Sequence, residues 1–472
     1  MKLLSWGNQF LWQTLLVGLS FWATAAIGML INPQSFQKFF FLAENALAQV
    51  PTSRSLSYYW DIQPYADLAL NRACSAFYPL WPSLIDWLYA PTTIHAAARG
   101  FLITATALFM ISLPVALLVF RTALQNKHSA FRVTLLYTLS PLAIFRVIGY
   151  TESLFGLVSL GLLLLLIRPG KPLQRAWLLL LIFTLAAILS LTRPALVQIT
   201  GACFATLVTL ATIAALQLPS QGTLSRWEWM KGVGANTLRR SPLIIPISLS
   251  LMLGAFSGYA IYGLFCWKTT GSFWQPFLLQ QSWNKSLGLR PWLLLSSRSP
   301  LIDLLGLYFP FLCWVVALTQ VMAITRGYTL LKHYGGRLGT LLTIYPPLWI
   351  LVQAWGNRGR LFRFNAKVLK ILEPNATFSQ ENSPPAWLYS YGFWFALYFT
   401  AAHSSIAGLT QDRLVSLGRY IFAQPFIFLV IGYLYPSLSR PQRAWLLPLA
   451  SGISALCLVE QWISYGYHKW LG

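Results

Sequence analysis

The chain has 472 residues, of which 56% are hydrophobic and only 10% are charged. Soluble domains carry about 25% charged residues, so this composition excludes a water-soluble globular protein and points to a polytopic membrane protein. The 34 Lys and Arg outnumber the 11 Asp and Glu, giving +23. In a soluble chain that excess suggests nucleic acid. Here the basic residues fall mostly in short loops between apolar runs, as in cytoplasmic loops facing anionic lipid head groups. A nucleic-acid partner is therefore not expected.

The first apolar run, Phe10 to Ile31, is expected to be a retained helix with its N-terminus inside. Residues 32–98 then form a long first outer loop. Further runs follow at Gly100–Phe120, Val133–Ile148, Ser153–Ile167, Trp177–Leu191 and Ala195–Leu218. Each approaches the roughly 20 residues that span a bilayer. Arg121, Lys127 and Arg132 mark one inner loop, Arg168, Lys171 and Arg175 the next, and Arg226, Lys231, Arg239 and Arg240 a third. Between the first two, Gly149 to Glu152 must be outside. The run Pro242 to Phe265 leads to a second outer loop, 267–300, and Leu301–Thr325 returns inward. Leu338–Trp355 contains Pro346-Pro347: if it spans, Arg358 to Lys370 lie outside, and if it is re-entrant or interfacial they lie inside, the reading favoured because it keeps the charge rule. Ala386–Gly408, Tyr420–Tyr435 and Ala444–Ile463 close the chain. The expectation is an all-α bundle of about eleven spans, a single integral membrane domain over residues 1–472.

Within the first outer loop, Tyr59 to Pro82 reads YWDIQPYADLALNRACSAFYPLWP. It sets Asp61 and Asp67 among Trp60, Tyr65, Tyr78 and other rings, beside the bilayer. Acids among aromatic rings at a membrane surface suit chemistry on a lipid-linked polar group, so Trp60, Tyr65 and Tyr78 are candidate substrate contacts. Asp61 is the best-placed base, because a carboxylate near apolar groups is able to take a hydroxyl proton. The competing reading is an Asp that caps the helix beginning near Pro64. Glu152 lies between two apolar runs, where an acid is costly and suggests function. Its alternative role is to sit in the first turn of a helix, favoured by the dipole.

Three arginines fall on the outer side against the charge rule: Arg193, Arg413 and Arg419. They either snorkel to lipid phosphates or clamp a substrate phosphate, for which the guanidinium fork is suited. Arg193 precedes Pro194, a residue suited to the first position of a helix. The five cysteines show neither metal-ligand nor disulfide-framework spacing; whether Cys74 and Cys266 pair on the outer face is left open.

The stretches Trp60-Asp61, Ala76 to Pro82, Ser140-Pro141 followed by Tyr150 to Phe155, and Arg193 resemble the PIG-V-type mannosyltransferases of the GT-C glycosyltransferase superfamily. Gly271 to Trp283, GSFWQPFLLQQSW, and Arg419-Tyr420 with Pro425 are similar to bacterial members. The similarity runs in order from about residue 57 to 435. It implies a GT-C-like fold and an inverting transfer of mannose from a polyprenyl phosphate sugar to a lipid-linked glycan on the exoplasmic or luminal face. In a bacterium that membrane would be the plasma membrane. The resemblance maps the base to Asp61 and family positions to Glu152, a further catalytic candidate, and to Arg193 and Arg419; these two outer-side arginines are the candidate donor-phosphate ligands, with Arg413 a weaker one. Trp283 joins the substrate contacts. Neither a cofactor nor a divalent metal is expected, since no Asp-x-Asp pair occurs at Asp61 and arginines can neutralise the leaving phosphate. Pro64 stands where the family has His, and Pro194-Ala195-Leu196 replaces Ser-Asn-Gly. Two rival readings are a lipid or glycan flippase and an inactive homologue. A transporter should hold ionisable groups at mid-membrane, and apart from Glu460 the acids here lie near the surfaces.

Overall fold

The computed structural model describes residues 2–41, 61–124, 126–167, 175–216, 226–240, 242–283, 288, 300–324, 385–411, 414, 416–438, 440–467 and 469. Their ordered elements are helical. The chain begins with α1 (Lys2–Ile31) and α2 (Pro33–Phe41), followed by α3 (Ile62–Asn71), α4 (Leu80–Tyr89), α5 (Ile94–Ala123) and α6 (Lys127–Thr138). A 3₁₀ turn (Ala143–Arg146) leads to α7 (Glu152–Ile167), α8 (Arg175–Thr192), α9 (Leu196–Leu216), α10 (Arg226–Arg240) and α11 (Ile244–Thr270). Then come α12 (Gln275–Leu278) with a 3₁₀ turn (Leu279–Trp283), α13 (Leu301–Ile324), α14 (Tyr391–Thr410), α15 (Leu417–Phe422), α16 (Phe426–Leu434) and α17 (Arg440–Gly466).

The all-α expectation holds, while the count of about eleven spans is not confirmed among the described residues. Among the described residues seven helices are long and apolar enough to cross a membrane: Asn8–Ile31, Ile94–Ala123, Arg175–Thr192, Leu196–Ala215, Ile244–Thr270, Leu301–Val321 and Gln442–Gly466. Two runs read as continuous spans are broken. Val133–Ile148 ends as helix at Thr138, two residues before Ser140-Pro141. Tyr420–Tyr435 is interrupted between Phe422 and Phe426, around Gln424-Pro425. A proline lacks the donor that a continuing helix needs, and it pushes the preceding residue out of the helical region. The run at Ser153–Ile167 is a helix of only 16 residues. Leu338–Trp355 lies outside the described residues.

The long helices pack side by side. On α11, Gly254 and Gly258 face the backbone of Phe183 and Ala187 on α8, where a Cβ would come within 2.2 and 2.3 Å of their carbonyl oxygens. Small residues four apart let two backbones approach where lipid removes the hydrophobic drive for association. α1 runs beside α5, with Phe21 against Phe109 at 4.5 Å between ring centroids. The last turns of α17 fasten onto α2: Asn32 Nδ2 donates to the Ile463 carbonyl at 2.8 Å, and Ser35 Oγ to that of Trp462 at 2.6 Å.

The two ends of the bundle differ. At one end Arg121 bonds Gln13 (2.7 Å), and Arg132 bonds the Tyr435 hydroxyl (3.1 Å). At the other, the turn at Gly149 rests on Phe101 and Leu102 of α5. Twenty residues of helix separate Phe101 from Arg121, about 30 Å at 1.5 Å per residue and close to the bilayer core. Gly149 has φ +95°, and a Cβ there would fall 3.1 Å from Ile62 and 3.2 Å from Phe101, so a side chain would be both strained and crowded. Its carbonyl accepts from Trp81 Nε1 at 3.0 Å, which pins α4 to the same turn. This turn hands the chain to Tyr150, Thr151 and Glu152.

Candidate active site

Four segments deliver charged side chains to one place. Asp61 stands immediately before α3, Glu152 opens α7, Arg193 follows the end of α8, and Arg419 lies in the middle of α15. Arg419 Nη1 donates to Asp61 Oδ2 at 2.8 Å, and its Nε lies 3.0 Å from Glu152 Oε1 as an ion pair without hydrogen-bond alignment. Arg193 Nη2 donates to the same Glu152 oxygen, and its Nε donates to Thr151 Oγ1 at 2.8 Å. The result is a chain of alternating charge, Asp61–Arg419–Glu152–Arg193.

Burial gives the chain its order. Glu152 is fully buried, whereas the Asp61 side chain is 14% exposed. A buried carboxylate is tolerable only when paired and hydrogen-bonded, and Glu152 is flanked by both guanidinium groups. Asp61 takes a single guanidinium nitrogen. It is therefore the carboxylate better placed to meet another molecule, while Glu152 is placed to hold the two arginines together.

Aromatic rings complete the enclosure. The Tyr420 ring is near both guanidinium carbons, 4.9 Å from that of Arg193 and 5.3 Å from that of Arg419. Tyr150 and Phe145 face Arg419 at 5.1 and 5.2 Å. Such contacts favour cations removed from water. The backbone N–H of Asp61 donates to the Tyr150 hydroxyl at 3.3 Å. Burial, then the Asp61 charge, raise the Tyr150 phenol well above its ordinary range, so it stays protonated. The Arg419 guanidinium loses basicity by burial, but Glu152 and Asp61 more than restore it.

Several sequence-based alternatives are thereby settled. Asp61 stands at the N-cap position of α3, but its side chain makes no cap hydrogen bond and is turned to Arg419 instead. Arg193 is 7% and Arg419 4% exposed; neither reaches outward to lipid, so snorkelling is corrected for both. Arg193 sits in the turn after α8, and α9 begins at Leu196 rather than at Pro194. Glu152 does open a helix, and it is an ion-pair partner as well.

The remaining candidates are dispersed. Tyr65, one turn beyond Asp61, is buried against Phe77 (4.9 Å) and Phe101 (6.1 Å). Tyr78 belongs to another cluster with Tyr259, Tyr262 and Cys266, and its hydroxyl has no hydrogen-bond partner among the described residues. Trp60 and Arg413 lie outside the described residues, as does the side chain of Trp283. Cys74 and Cys266, left open above, form a disulfide. Tyr262 seals the same junction: its hydroxyl accepts from Ser75 N–H (2.8 Å) and contacts the Ser75 and Phe77 carbonyls at 2.7 and 3.0 Å.

Sequence reasoning missed Arg146, which is 1% exposed near the site. The signal was present, because an arginine inside the apolar run Val133–Ile148 is the kind of buried cation that marks function or structure. Asp303, near the start of α13, is likewise fully buried, and its carboxylate accepts the N–H of Gly418 beside Arg419.

The profile of the mannosyltransferase (PIG-V) family matches residues 75–286. This segment contains Glu152 and Arg193, whereas Asp61 precedes it and Arg419 follows it. GPI mannosyltransferase 2 of Schizosaccharomyces pombe is 30% identical over 125 residues, 25% of this chain and 27% of that protein. The chain thus aligns with about a quarter of this relative's length. No solved structure matches the chain. The resemblance read from the motifs is therefore found independently: over residues 75–286 the chain matches the PIG-V mannosyltransferases.

Proposed function

We propose that the protein is a membrane mannosyltransferase that transfers mannose, or another hexose, from a polyprenyl phosphate sugar to a lipid-linked glycan at the exoplasmic side. The observation that carries this reading is the convergence of Asp61, Glu152, Arg193 and Arg419 from four separate segments. Asp61 takes the proton from the acceptor hydroxyl. The acceptor oxygen bonds to the anomeric carbon from the side opposite the phosphate. The carbon–oxygen bond to the donor phosphate breaks with inversion, and the phosphate departs with the electron pair. Arg193 and Arg419 receive the charge that develops on it, in an enclosure where guanidinium–oxyanion contacts are stronger than in water. Tyr65, with Trp60 and Trp283, supplies the proposed sugar and acceptor contacts, while Tyr78 is buried in the disulfide-linked cluster.

The Cys74–Cys266 disulfide supports the exoplasmic side, because disulfides persist in oxidising compartments. Pro64 occupies the first turn of α3, where its missing N–H forfeits no helical bond, so it is compatible with the geometry that presents Asp61.

Transfer by the purified protein from radiolabelled polyprenyl phosphate mannose to membrane glycolipids tests the reading. Asp61→Asn is expected to lower kcat by about 10²–10⁴ with the protein folded. Arg193→Ala and Arg419→Ala are expected to raise donor KM and to weaken inhibition by free polyprenyl phosphate. Near-normal turnover of Asp61→Asn removes the base assignment, and unchanged donor KM in both arginine variants removes the phosphate clamp.

A further inference from the structure

Arg419 touches both carboxylates of the site, yet it is carried by α15, a helix of six residues. So short a helix does not hold itself. The residue before it, Ser416, has φ +63°, a left-handed conformation that side chains other than glycine avoid. What keeps this segment in place lies at its two ends.

At the start, Asp303 of α13 is fully buried, and its Oδ1 accepts the Gly418 N–H at 2.7 Å. The two backbones meet without side chains between them: a Cβ at Gly418 would fall 2.9 Å from the Ile302 carbonyl, and one at Gly306 would fall 3.1 Å from Gly418 Cα. At the finish, Arg146 is buried and donates to Ala423 O from Nε at 2.9 Å and to Phe422 O from Nη2 at 3.2 Å. Its Nη1 donates to Tyr137 O at 2.9 Å, and its guanidinium carbon lies 3.7 Å over the Tyr137 ring. Ser140 Oγ also donates to Phe422 O, at 2.9 Å. An anion therefore takes an N–H at the first turn, and a cation takes the last carbonyls, the signs that helix ends favour.

We propose that Asp303 and Arg146 are positioning residues that act through Arg419, bracketing α15 so that its guanidinium lies between Asp61 and Glu152. Neither is placed against the reacting atoms. The proposal rests on the reading of the Asp61–Arg419 pair as part of the transfer machinery.

The test uses the full chain in lipid nanodiscs with Asp303→Asn and Arg146→Lys, alone and combined with Arg419→Lys. Asp303→Asn keeps an acceptor for Gly418 but loses the charge, and Arg146→Lys keeps the charge but loses the fork. Each is expected to lower kcat/KM by about 10- to 100-fold, the scale of a small misplacement. In the Arg419→Lys background each is expected to cost less than about twofold more, because the group being positioned is already altered. Losses that multiply in full would overturn the proposal and leave both residues as general supports. Amide hydrogen exchange of Leu417 to Ala423 gives a readout independent of turnover: it should quicken in both variants while α5 is unchanged. If the wild type transfers no mannose, the proposed function fails, and the exchange result alone decides the bracket. Unchanged exchange would then overturn it. If Asp303→Asn folds poorly, adding Ser416→Gly relieves the left-handed turn, and the same cycle is run on that chain.

Discussion

The segment from Asp61 to Tyr89 is secured at two places in opposite ways. At Asp61 it is held by charge, through Arg419 and onward to Glu152 and Arg193. From Cys74 to Tyr78 it is held by a disulfide to α11, by the Tyr262 hydroxyl and by ring packing. The first anchorage consists of groups that are costly to bury and are kept by mutual pairing. The second consists of a covalent link and apolar area, which serve for position alone. The charged anchorage should thus be sensitive to isosteric loss of charge, and the aromatic one to loss of the crosslink or of volume.

The largest expected effect is at the charged anchorage. Glu152→Gln preserves shape but leaves two buried guanidinium groups without their shared carboxylate. A loss of about 3–5 kcal/mol is the usual result of breaking a buried pair from one side. Thermal unfolding of the purified protein should show a large fall in Tm, and transfer should fall with it. A Tm within error of wild type would mean that the ion-pair chain is not what holds these segments together.

The aromatic anchorage should respond next. Replacing Cys74 and Cys266 together by Ser removes the link across 192 residues and is expected to cost about 2–4 kcal/mol. The Asp61 cluster keeps its own partners, so kcat per folded molecule should stay near wild type. A loss in kcat as deep as that of Asp61→Asn would show that the crosslink sets the geometry of the charges, and the two anchorages would count as one.

The smallest effect is expected at Tyr78. Its hydroxyl is buried without a partner among the described residues, so Tyr78→Phe removes a desolvated group and gives up no bond. Stability should change by no more than about 1 kcal/mol, toward greater stability. Strong loss of transfer with Tm unchanged would instead place that hydroxyl against substrate and join the platform to the site.

Much of this was legible in the chain itself. Hydropathy and charge establish a helical membrane protein, because the bilayer admits only segments that satisfy their own backbone, and short loops sort Lys and Arg to one side. The motifs marked Asp61, Glu152, Arg193 and Arg419 one by one. What periodicity could not give was the break in two apolar runs: Pro141 and Pro425 were visible, but tolerance of proline depends on what surrounds the freed carbonyls. The carbonyls near Pro425 are taken by Arg146, a side chain 276 and 277 residues away. Pairing was likewise beyond the sequence. Arg419 meets Asp61 across 358 residues, and no local rule links positions so far apart. Residue types and their order determined the class and the candidates. Burial determined the roles, because a charge removed from water must find its partner in three dimensions, and only the folded chain decides which partner that is.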